Sequence, residues 1–251
     1  MEIASERVSR ESDSRGGGIA IRLYRHPDPA EAQLVLLCIH GGAFIAGDET
    51  YNSAQSEMLV QESKGRLIVV QVGFDTSSPE HALKDIGIVY AHLRAVYQHL
   101  PLAMMGCSSG AFFARAFASN TKGVLCCVYV CPVFDPAHRH CLFENDESKE
   151  AIVAKQLQHF GCVSKMRYAV KSYITERNRS TSVDHPSLII TASSDGNVPR
   201  QMNEMVQQNH IVPLAEWVEM EGTHALCHRA DERVVGRVVE YVLEKQQQSL
   251  E

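Results

Sequence analysis

The sequence lacks a long uninterrupted hydrophobic run, because no stretch approaches the roughly 18 apolar residues that a membrane-spanning helix needs. It also lacks a basic excess: 24 Lys and Arg stand against 30 Asp and Glu, for a formal net charge of -6. That balance leaves no basic face for nucleic acid. Residues 1–7 contain acids and no apolar segment of the kind found in secretory signals. We therefore expect a cytoplasmic protein with no membrane span and no nucleic-acid partner.

The eight cysteines lack the paired spacing of a disulfide framework. Five of them lie in or beside apolar runs, which predicts buried free thiols at Cys38, Cys107, Cys126, Cys127 and Cys131. Adjacent Cys126 and Cys127 would project to opposite faces of a strand, which argues against a bridge between them. The run 138–141, His-Arg-His-Cys, lacks the spacing of a zinc site. We expect no metal and no other cofactor.

The composition, 45% hydrophobic and 22% charged over 251 residues, is typical of one globular domain. Short apolar runs have the length of buried parallel strands and lie at 34–39, 67–72, 102–105, 124–130 and 188–191. Helical patterns separate them at 80–97, 199–208 and 231–245. This alternation predicts an α/β fold with a mostly parallel central sheet and helices on both faces. Residues 1–32 predict an antiparallel edge hairpin.

One pentad, Gly106-Cys107-Ser108-Ser109-Gly110, has the G-x-S-x-G form of a nucleophile elbow. An apolar strand-like run precedes it and a helix-forming run follows it. Gly106 and Gly110 leave room around the strained turn that such a nucleophile needs. Ser108 is therefore the candidate nucleophile of a serine hydrolase.

Two polar residues at strand ends are candidate partners of Ser108. Asp195 follows the run 188–191, and His224 follows the strand-like run 215–220. An acid can orient an imidazole, which then takes the serine proton and returns it to the leaving group. Asp195 could instead cap the helix near Pro199, and His224 could be a solvated loop side chain. The chain order Ser, Asp, His favours a catalytic triad.

The segment His40-Gly41-Gly42-Ala43 follows the strand-like run 34–39 and resembles the HGGG-type oxyanion loop of lipases and esterases. Backbone N–H groups in such a loop stabilise the negative charge that builds up on the substrate oxygen during acyl transfer. We predict an oxyanion hole formed by Gly41, Gly42, Ala43 and Ser109. A glycine-rich turn after a core strand is the alternative interpretation.

Together these motifs resemble those of the hormone-sensitive-lipase-like carboxylesterases, across nearly the whole chain. Residues 18–27 resemble the strand that leads into that family's oxyanion loop, and 78–85 resemble its A-P-E…D segment in shortened form. The resemblance implies an α/β-hydrolase fold. Cys107 and Ser109 depart from it, since the family usually has an acid or His before the nucleophile and Ala after it. Only 39 residues precede His40, fewer than the family's long N-terminal cap segment would need.

The interval 132–184 is the one long stretch without a predicted strand. Its charged and amphipathic content predicts short helices that form a cap or lid insertion in the single domain 1–251. A helical connection on the far side of the sheet is the alternative.

The leading functional hypothesis is a carboxylesterase that cleaves small esters through an acyl-serine intermediate. The same triad would serve an amidase or formamidase. A non-catalytic small-molecule receptor on this scaffold is a third possibility, although receptors that resemble the family lack the catalytic His. The sequence leaves the oligomeric state open.

Overall fold

The computed structural model describes residues 1–10, 16–143, 145–171, 184–208 and 212–251. Eight strands run through these residues: β1 (Glu2–Ser9), β2 (Gly18–Arg25), β3 (Leu34–Ile39), β4 (Leu67–Gly73), β5 (Leu102–Cys107), β6 (Val124–Val130), β7 (Ser187–Ala192) and β8 (Ala215–Met220). They form one sheet in the order β1-β2-β4-β3-β5-β6-β7-β8. The β1–β2 and β2–β4 pairs are antiparallel, and all other neighbours are parallel.

Eight α-helices lie in the same described ranges: α1 (Ser53–Glu62), α2 (Pro79–Val96), α3 (Gly110–Ala118), α4 (Pro136–Phe143), α5 (Glu150–Phe160), α6 (Val163–Val170), α7 (Arg200–Gln208) and α8 (Glu232–Gln248). The sheet separates two apolar clusters. Helices α2, α3 and α7 pack into one cluster, and α1 and α8 pack into the other. The predicted doubly wound α/β fold is confirmed. Over the described ranges, none of these helices has the length and apolar content needed to cross a membrane.

The central strands are buried on both faces because helices cover both sides of the sheet. All six residues of β3 are buried. Val35, Leu37 and Ile39 contact one cluster, and the alternate residues Leu34, Leu36 and Cys38 contact the other. Cys126 and Cys127 are divided between the clusters in the same way, as predicted. All eight cysteines are free thiols.

The antiparallel hairpin predicted at the edge is present as β1 and β2, although part of its turn, residues 11–15, lies outside the described residues. β5 runs two residues beyond the predicted 102–105, so it reaches the pentad itself. Helix α1 was not predicted. It buries Gln55 and Ser56 beside Leu59 and Val60, so its inner face has no continuous apolar stripe to detect.

Candidate active site

Ser108 lies in the sharp turn between β5 and α3 and has a left-handed backbone with φ +51. The predicted motif glycines are required by close packing. A Cβ on Gly110 would lie 2.2 Å from the carbonyl oxygen of Ile39, and one on Gly106 would lie 2.6 Å from Ala111 Cα. The strained turn is fixed by a hydrogen bond from the Ser108 N–H to the Val130 carbonyl at 2.9 Å. The geometry is therefore that of a nucleophile elbow.

The three predicted residues Ser108, Asp195 and His224 lie together at the carboxyl ends of β5, β7 and β8. His224 Nε2 is 2.9 Å from Ser108 Oγ, and His224 Nδ1 is 2.8 Å from Asp195 Oδ2. Ser108 is 6% exposed, and the side chains of His224 and Asp195 are 12% and 3% exposed. One imidazole thus bridges a hydroxyl and a shielded carboxylate, the arrangement that activates a serine.

The two carboxylate oxygens of Asp195 have different hydrogen-bond partners. Oδ2 faces His224, while Oδ1 accepts the N–H groups of Asn197 and Val198, each at 2.8 Å. Burial raises the pKa of the Asp195 carboxyl, but the His224 contact and the two backbone N–H groups outweigh it, so this pKa lies below its ordinary value. The N–H groups that Oδ1 accepts belong to the turn ahead of α7, which begins at Arg200, so Asp195 holds this turn rather than the first turn of the helix.

The predicted oxyanion loop follows β3 and has an unusual backbone. Gly42, Ala43 and Phe44 all have positive φ, at 110, 55 and 76. A Cβ on Gly42 would lie 1.9 Å from the Ala46 carbonyl oxygen, which requires glycine there. Within the described part of the chain, the N–H groups of Gly42, Ala43 and Ser109 have no backbone acceptor. Gly41 lies against the nucleophile, since a Cβ on it would be 3.1 Å from Ser108 Cβ.

Ser109, one of the two departures from the family pattern, connects the elbow to this loop. Its buried Oγ accepts the N–H of Phe44 at 3.2 Å. An alanine at this position could not make that bond. The Ser109 hydroxyl therefore holds the loop against the elbow.

Cys107, the other departure, lies on the opposite side of the strand end from Ser108 and belongs to the cluster of α1 and α8. Its Sγ is 3.8 Å from Gln55 Oε1. Burial, with a smaller contribution from Cys131, raises the pKa of the Cys107 thiol to about 12. The group stays protonated at neutral pH and is a poor nucleophile.

His40, the head of the loop motif, is 1% exposed and does not line the cavity at Ser108. Its Nδ1 lies 2.6 Å from the Gly41 carbonyl oxygen, and its ring stacks on Phe74 at 4.3 Å between centroids. Burial lowers the pKa of the imidazole, so it is neutral at pH 7 and donates Nδ1–H to that carbonyl. His40 thus orients the start of the loop.

A cavity of about 240 Å³ opens over Ser108. The predicted residues Gly42, Ala43, Ser109 and His224 line it, as do five polar side chains that sequence reasoning did not assign to the site: Tyr51, Arg139, Gln156, Asn197 and His228. Arg139 and Gln156 belong to α4 and α5, which lie in the 132–184 insertion. In the sequence, the run 138–141 suggests at most a metal motif, and no pattern marks Gln156, so neither residue could be assigned to the site.

His228 lies one turn beyond His224, with ring centroids 5.3 Å apart. Its ring also packs edge-on against Tyr51 at 5.2 Å. Burial, together with repulsion from the charged form of His224, lowers the pKa of His228 to about 4. It is neutral at pH 7, so His224 has no competing cation beside it. The i, i+4 spacing of these two histidines was the available signal.

Among the described residues, Cys131, His224 and Cys227 form one group whose potential metal-ligating atoms lie within 4.8 Å of one another. Both ring nitrogens of His224 already contact Ser108 and Asp195. Cys227 Sγ donates to the His224 carbonyl at 3.0 Å, and burial raises the pKa of that thiol well above its ordinary value. The Cys227 thiol therefore supports the backbone of His224.

No protein-family profile and no curated protein sequence matches this chain. Solved structures do. A hyperthermophilic esterase from the archaeon Pyrobaculum calidifontis is 18% identical with a TM-score of 0.75, over 100% of this chain and 87% of that one. A structure from work on two fungal esterases of Rhizomucor miehei is 17% identical with a TM-score of 0.77, over 99% and 85%.

EstE1, a thermostable carboxylesterase cloned from a metagenomic library, is 19% identical with a TM-score of 0.72, over 98% of this chain and 89% of that one. At these identities the similarity establishes the architecture. The chain has the α/β-hydrolase fold of these esterases, as the sequence motifs implied.

Proposed function

We propose that this protein is a serine hydrolase of the carboxylesterase type that cleaves small carboxylic esters through an acyl-serine intermediate. The observation that carries the proposal is the His224 imidazole, which lies 2.9 Å from Ser108 Oγ and 2.8 Å from Asp195 Oδ2. The surrounding fold, shared with known esterases, is consistent with it.

In the first half-reaction, Ser108 Oγ attacks the ester carbonyl while His224 Nε2 takes its proton. Asp195 holds the ring through Nδ1–H and stabilises the imidazolium. The carbonyl oxygen becomes an oxyanion, for which the N–H groups of Gly42, Ala43 and Ser109 are the proposed donors, with Gly41 beside them. Collapse of the tetrahedral intermediate breaks the ester C–O bond, and His224 returns the proton to the departing alcohol.

In the second half-reaction, water takes the place of the alcohol. His224 Nε2 accepts a proton from that water as its oxygen attacks the acyl carbon. The same donors stabilise the second oxyanion. Its collapse releases the carboxylic acid and returns the proton to Ser108 Oγ, so no cofactor is consumed.

We also propose that helices α4–α6 form a cap over this site. Arg139 of α4 and Gln156 of α5 line the cavity at Ser108, and Phe160 of α5 packs against Phe44 of the loop at 5.2 Å. These contacts favour a cap over a connection on the far side of the sheet. A cavity of about 240 Å³ suits a small substrate.

The test is a panel of p-nitrophenyl esters of increasing acyl length with the wild type and with Ser108→Ala. We expect turnover of short esters and its loss in the variant. Ser119→Ala is the matched control, since Ser119 is also buried, follows the last residue of α3, and donates its hydroxyl to the Arg115 carbonyl. Peptide mapping after a fluorophosphonate probe should place the label on Ser108. Label on Cys107 or Ser109, or full activity in Ser108→Ala, would contradict the proposal.

The amidase and receptor alternatives are tested in the same panel. The matching p-nitroanilides and an N-formyl aniline report amide hydrolysis. A protein that bound the esters but hydrolysed none of them would favour the receptor interpretation. The position of His224 favours catalysis over the receptor alternative, because ligand binding alone does not require an imidazole between a hydroxyl and a carboxylate.

A further inference from the structure

Arg139 is a buried cation in the wall of the cavity over Ser108. It is 4% exposed. Its Nε donates to the Asn197 carbonyl at 2.8 Å, and its Cζ lies 5.2 Å from the centre of the Phe143 ring. Neither Nη atom is sealed from solvent, and within the described ranges neither has a hydrogen-bond acceptor. Arg139 lines the cavity and is otherwise buried, so the small exposed part of these two N–H₂ groups faces the cavity.

None of the described residues that line the cavity is Asp or Glu, so Arg139 has no acidic partner in this part of the wall. Asp195 is near enough to favour the charged guanidinium, but both of its oxygens are occupied by closer donors. A second cation contacts the same asparagine as Arg139: Lys149 Nζ donates to Asn197 Oδ1 at 3.1 Å. Burial lowers the pKa of Arg139 to about 10, so it remains charged at pH 7 without a carboxylate partner. A buried charge that has no direct ion pair within the described ranges destabilises the fold and is typical of a binding site.

Gln156 supplies an independent observation in the same wall. Its side chain is fully buried at 0% exposure, and neither its Nε2 nor its Oε1 has a hydrogen-bond partner among the residues that the structure describes. A buried amide without partners costs free energy that a leucine of similar volume would not. It lies in the cavity wall beside Arg139, but its amide atoms, unlike the Arg139 Nη atoms, are sealed from solvent, so a bound molecule meets them only if the side chain turns toward the cavity.

From these two residues we propose that Arg139 and Gln156 form an anion-binding subsite, and that the preferred substrates are small esters carrying a carboxylate group. This inference rests on the proposed esterase function and names its substrate class. The guanidinium Nη atoms donate in parallel to the two carboxylate oxygens, the geometry for which arginine is suited. The Gln156 amide donates to the same group once its side chain has turned toward the cavity.

Two matched substrate pairs test the subsite, because the carboxylate could lie on either side of the ester bond. p-Nitrophenyl hydrogen succinate is compared with p-nitrophenyl isocaproate, and p-carboxyphenyl acetate with p-isopropylphenyl acetate. In each pair a carboxylate replaces an isosteric branched alkyl group. The ratio of kcat/KM for the anionic ester to that for the neutral ester is measured in the wild type and in Arg139→Gln. The rate of each ester with Ser108→Ala is subtracted first, because it reports hydrolysis that does not depend on the nucleophile. Comparing the ratios cancels the intrinsic reactivity of the esters.

For at least one pair we expect this ratio to fall by about tenfold or more in Arg139→Gln, as expected for the loss of charge-assisted hydrogen bonds. Arg139→Lys should give an intermediate ratio, since it keeps the charge but loses the paired donors. Arg200→Gln is the control, because Arg200 is close in sequence to Asn197 but its side chain is 81% exposed. If Arg139 only supports the turn at Asn197, both esters will slow equally and the ratio will not change.

Gln156→Leu separates a ligand role from a structural one. We expect a melting temperature higher by about 2–4 °C, because an unsatisfied buried amide is removed, together with a lower anionic-to-neutral ratio. A variant that is less stable and keeps its ratio would mean that Gln156 serves packing alone.

A binding measurement keeps the test independent of turnover. Succinamate and its neutral analogue succinamide are titrated into the Ser108→Ala protein and followed by NMR of the protein. We expect succinamate to bind more tightly, and Arg139→Gln to abolish that difference. If neutral esters are hydrolysed but neither pair shows the selectivity change, the subsite is wrong and the esterase function stands. If no ester is hydrolysed but succinamate binding depends on Arg139, the esterase function is wrong and the anion site stands.

Discussion

The two sides of the cavity differ in how their side chains are held. On the strand side, Ser108, Asp195 and His224 follow β5, β7 and β8, and their side chains are bonded to one another at 2.9 and 2.8 Å. On the insertion side, within the described ranges, Arg139 has two unused N–H₂ groups and Gln156 has no hydrogen bond from its side chain. Polar groups that already have hydrogen-bond partners hold the reacting atoms in place, whereas a bound ligand can supply the partners that the other polar groups lack.

This contrast separates chemistry from selectivity. Changes on the strand side should reduce the rate for every ester, because they affect the transition state that all esters share. Changes on the insertion side should alter the ranking of esters. The experiments below would break this division if a strand-side change altered selectivity alone, or if an insertion-side change removed all activity.

The largest effect is expected for Asp195→Asn. The asparagine oxygen can still accept the N–H groups of Asn197 and Val198, so the turn should keep its structure. The amide NH₂ must then face His224 Nδ1, which favours the wrong imidazole tautomer. We expect kcat to fall by about three to four orders of magnitude with little change in the melting temperature.

Asp184→Asn is the matched control. Asp184 lies 3.4 Å from Arg115 rather than near His224. Its variant should keep normal turnover. If Asp184→Asn were inactive and Asp195→Asn active, the acid of the site would have been assigned to the wrong residue.

A smaller loss is expected when the Ala43 N–H alone is removed. Proline cannot be used for this, because Ala43 has φ +55 and proline requires a negative φ. Replacement of Ala43 by lactic acid through amber suppression turns the amide into an ester and deletes the donor. We expect kcat to fall by about a hundredfold for all esters, as for other oxyanion donors. Ala43→Gly, which keeps the donor and relieves the positive φ, should leave kcat nearly unchanged.

Acyl length tests the insertion side with an effect of only a few-fold per carbon. Each buried CH₂ contributes about 0.8 kcal/mol, so kcat/KM should rise by at most a few-fold per carbon while the cavity still covers the chain. We expect a plateau or a decline beyond about six acyl carbons. Activity that continues to rise to twelve carbons would reveal a deep tunnel and a lipase-like substrate range.

The smallest effect concerns acid stability and His228, whose ring faces His224, Tyr51 and Cys227. Its folded pKa of about 4 lies below the ordinary value of 6.5. The unfolded chain therefore takes up a proton first as the pH falls. His228 costs no stability above pH 6.5, and the fold is progressively destabilised between pH 6.5 and 4. His228→Asn should retain a few degrees more of its melting temperature over that window than the wild type, whereas parallel curves would disprove the shift.

The strand side was largely predictable because its residues follow local rules. A nucleophile elbow needs Gly106 and Gly110 for space, and parallel strands bring Asp195 and His224 to one edge of the sheet. Those requirements leave a sequence pattern. The role of the Ser109 hydroxyl is an exception, because its bond to Phe44 joins residues 65 positions apart and follows no periodicity.

The individual residues of the insertion side were not predictable, for the opposite reason. Arg139 of α4 and Gln156 of α5 line the same cavity as Ser108, and neither position is marked by spacing or by neighbours. Helix α1 was missed because it packs through polar pairs: Gln71 Nε2 donates to Ser56 Oγ at 2.7 Å, and Asn52 Nδ2 donates to Gln55 Oε1 at 3.2 Å. Hydrophobic periodicity cannot detect a face of that kind.

The loop that carries three consecutive positive φ values is held by the aromatic core. The ring of Phe44 is 1% exposed and packs edge-on against Phe112, Phe113 and Phe160 at 5.7, 5.6 and 5.2 Å between centroids. Its N–H is bonded to Ser109 beneath that cluster. The loop therefore cannot open without breaking the core. In hydrogen–deuterium exchange, the Phe44 amide should exchange only through global unfolding, at the rate of the central strands rather than of a surface loop.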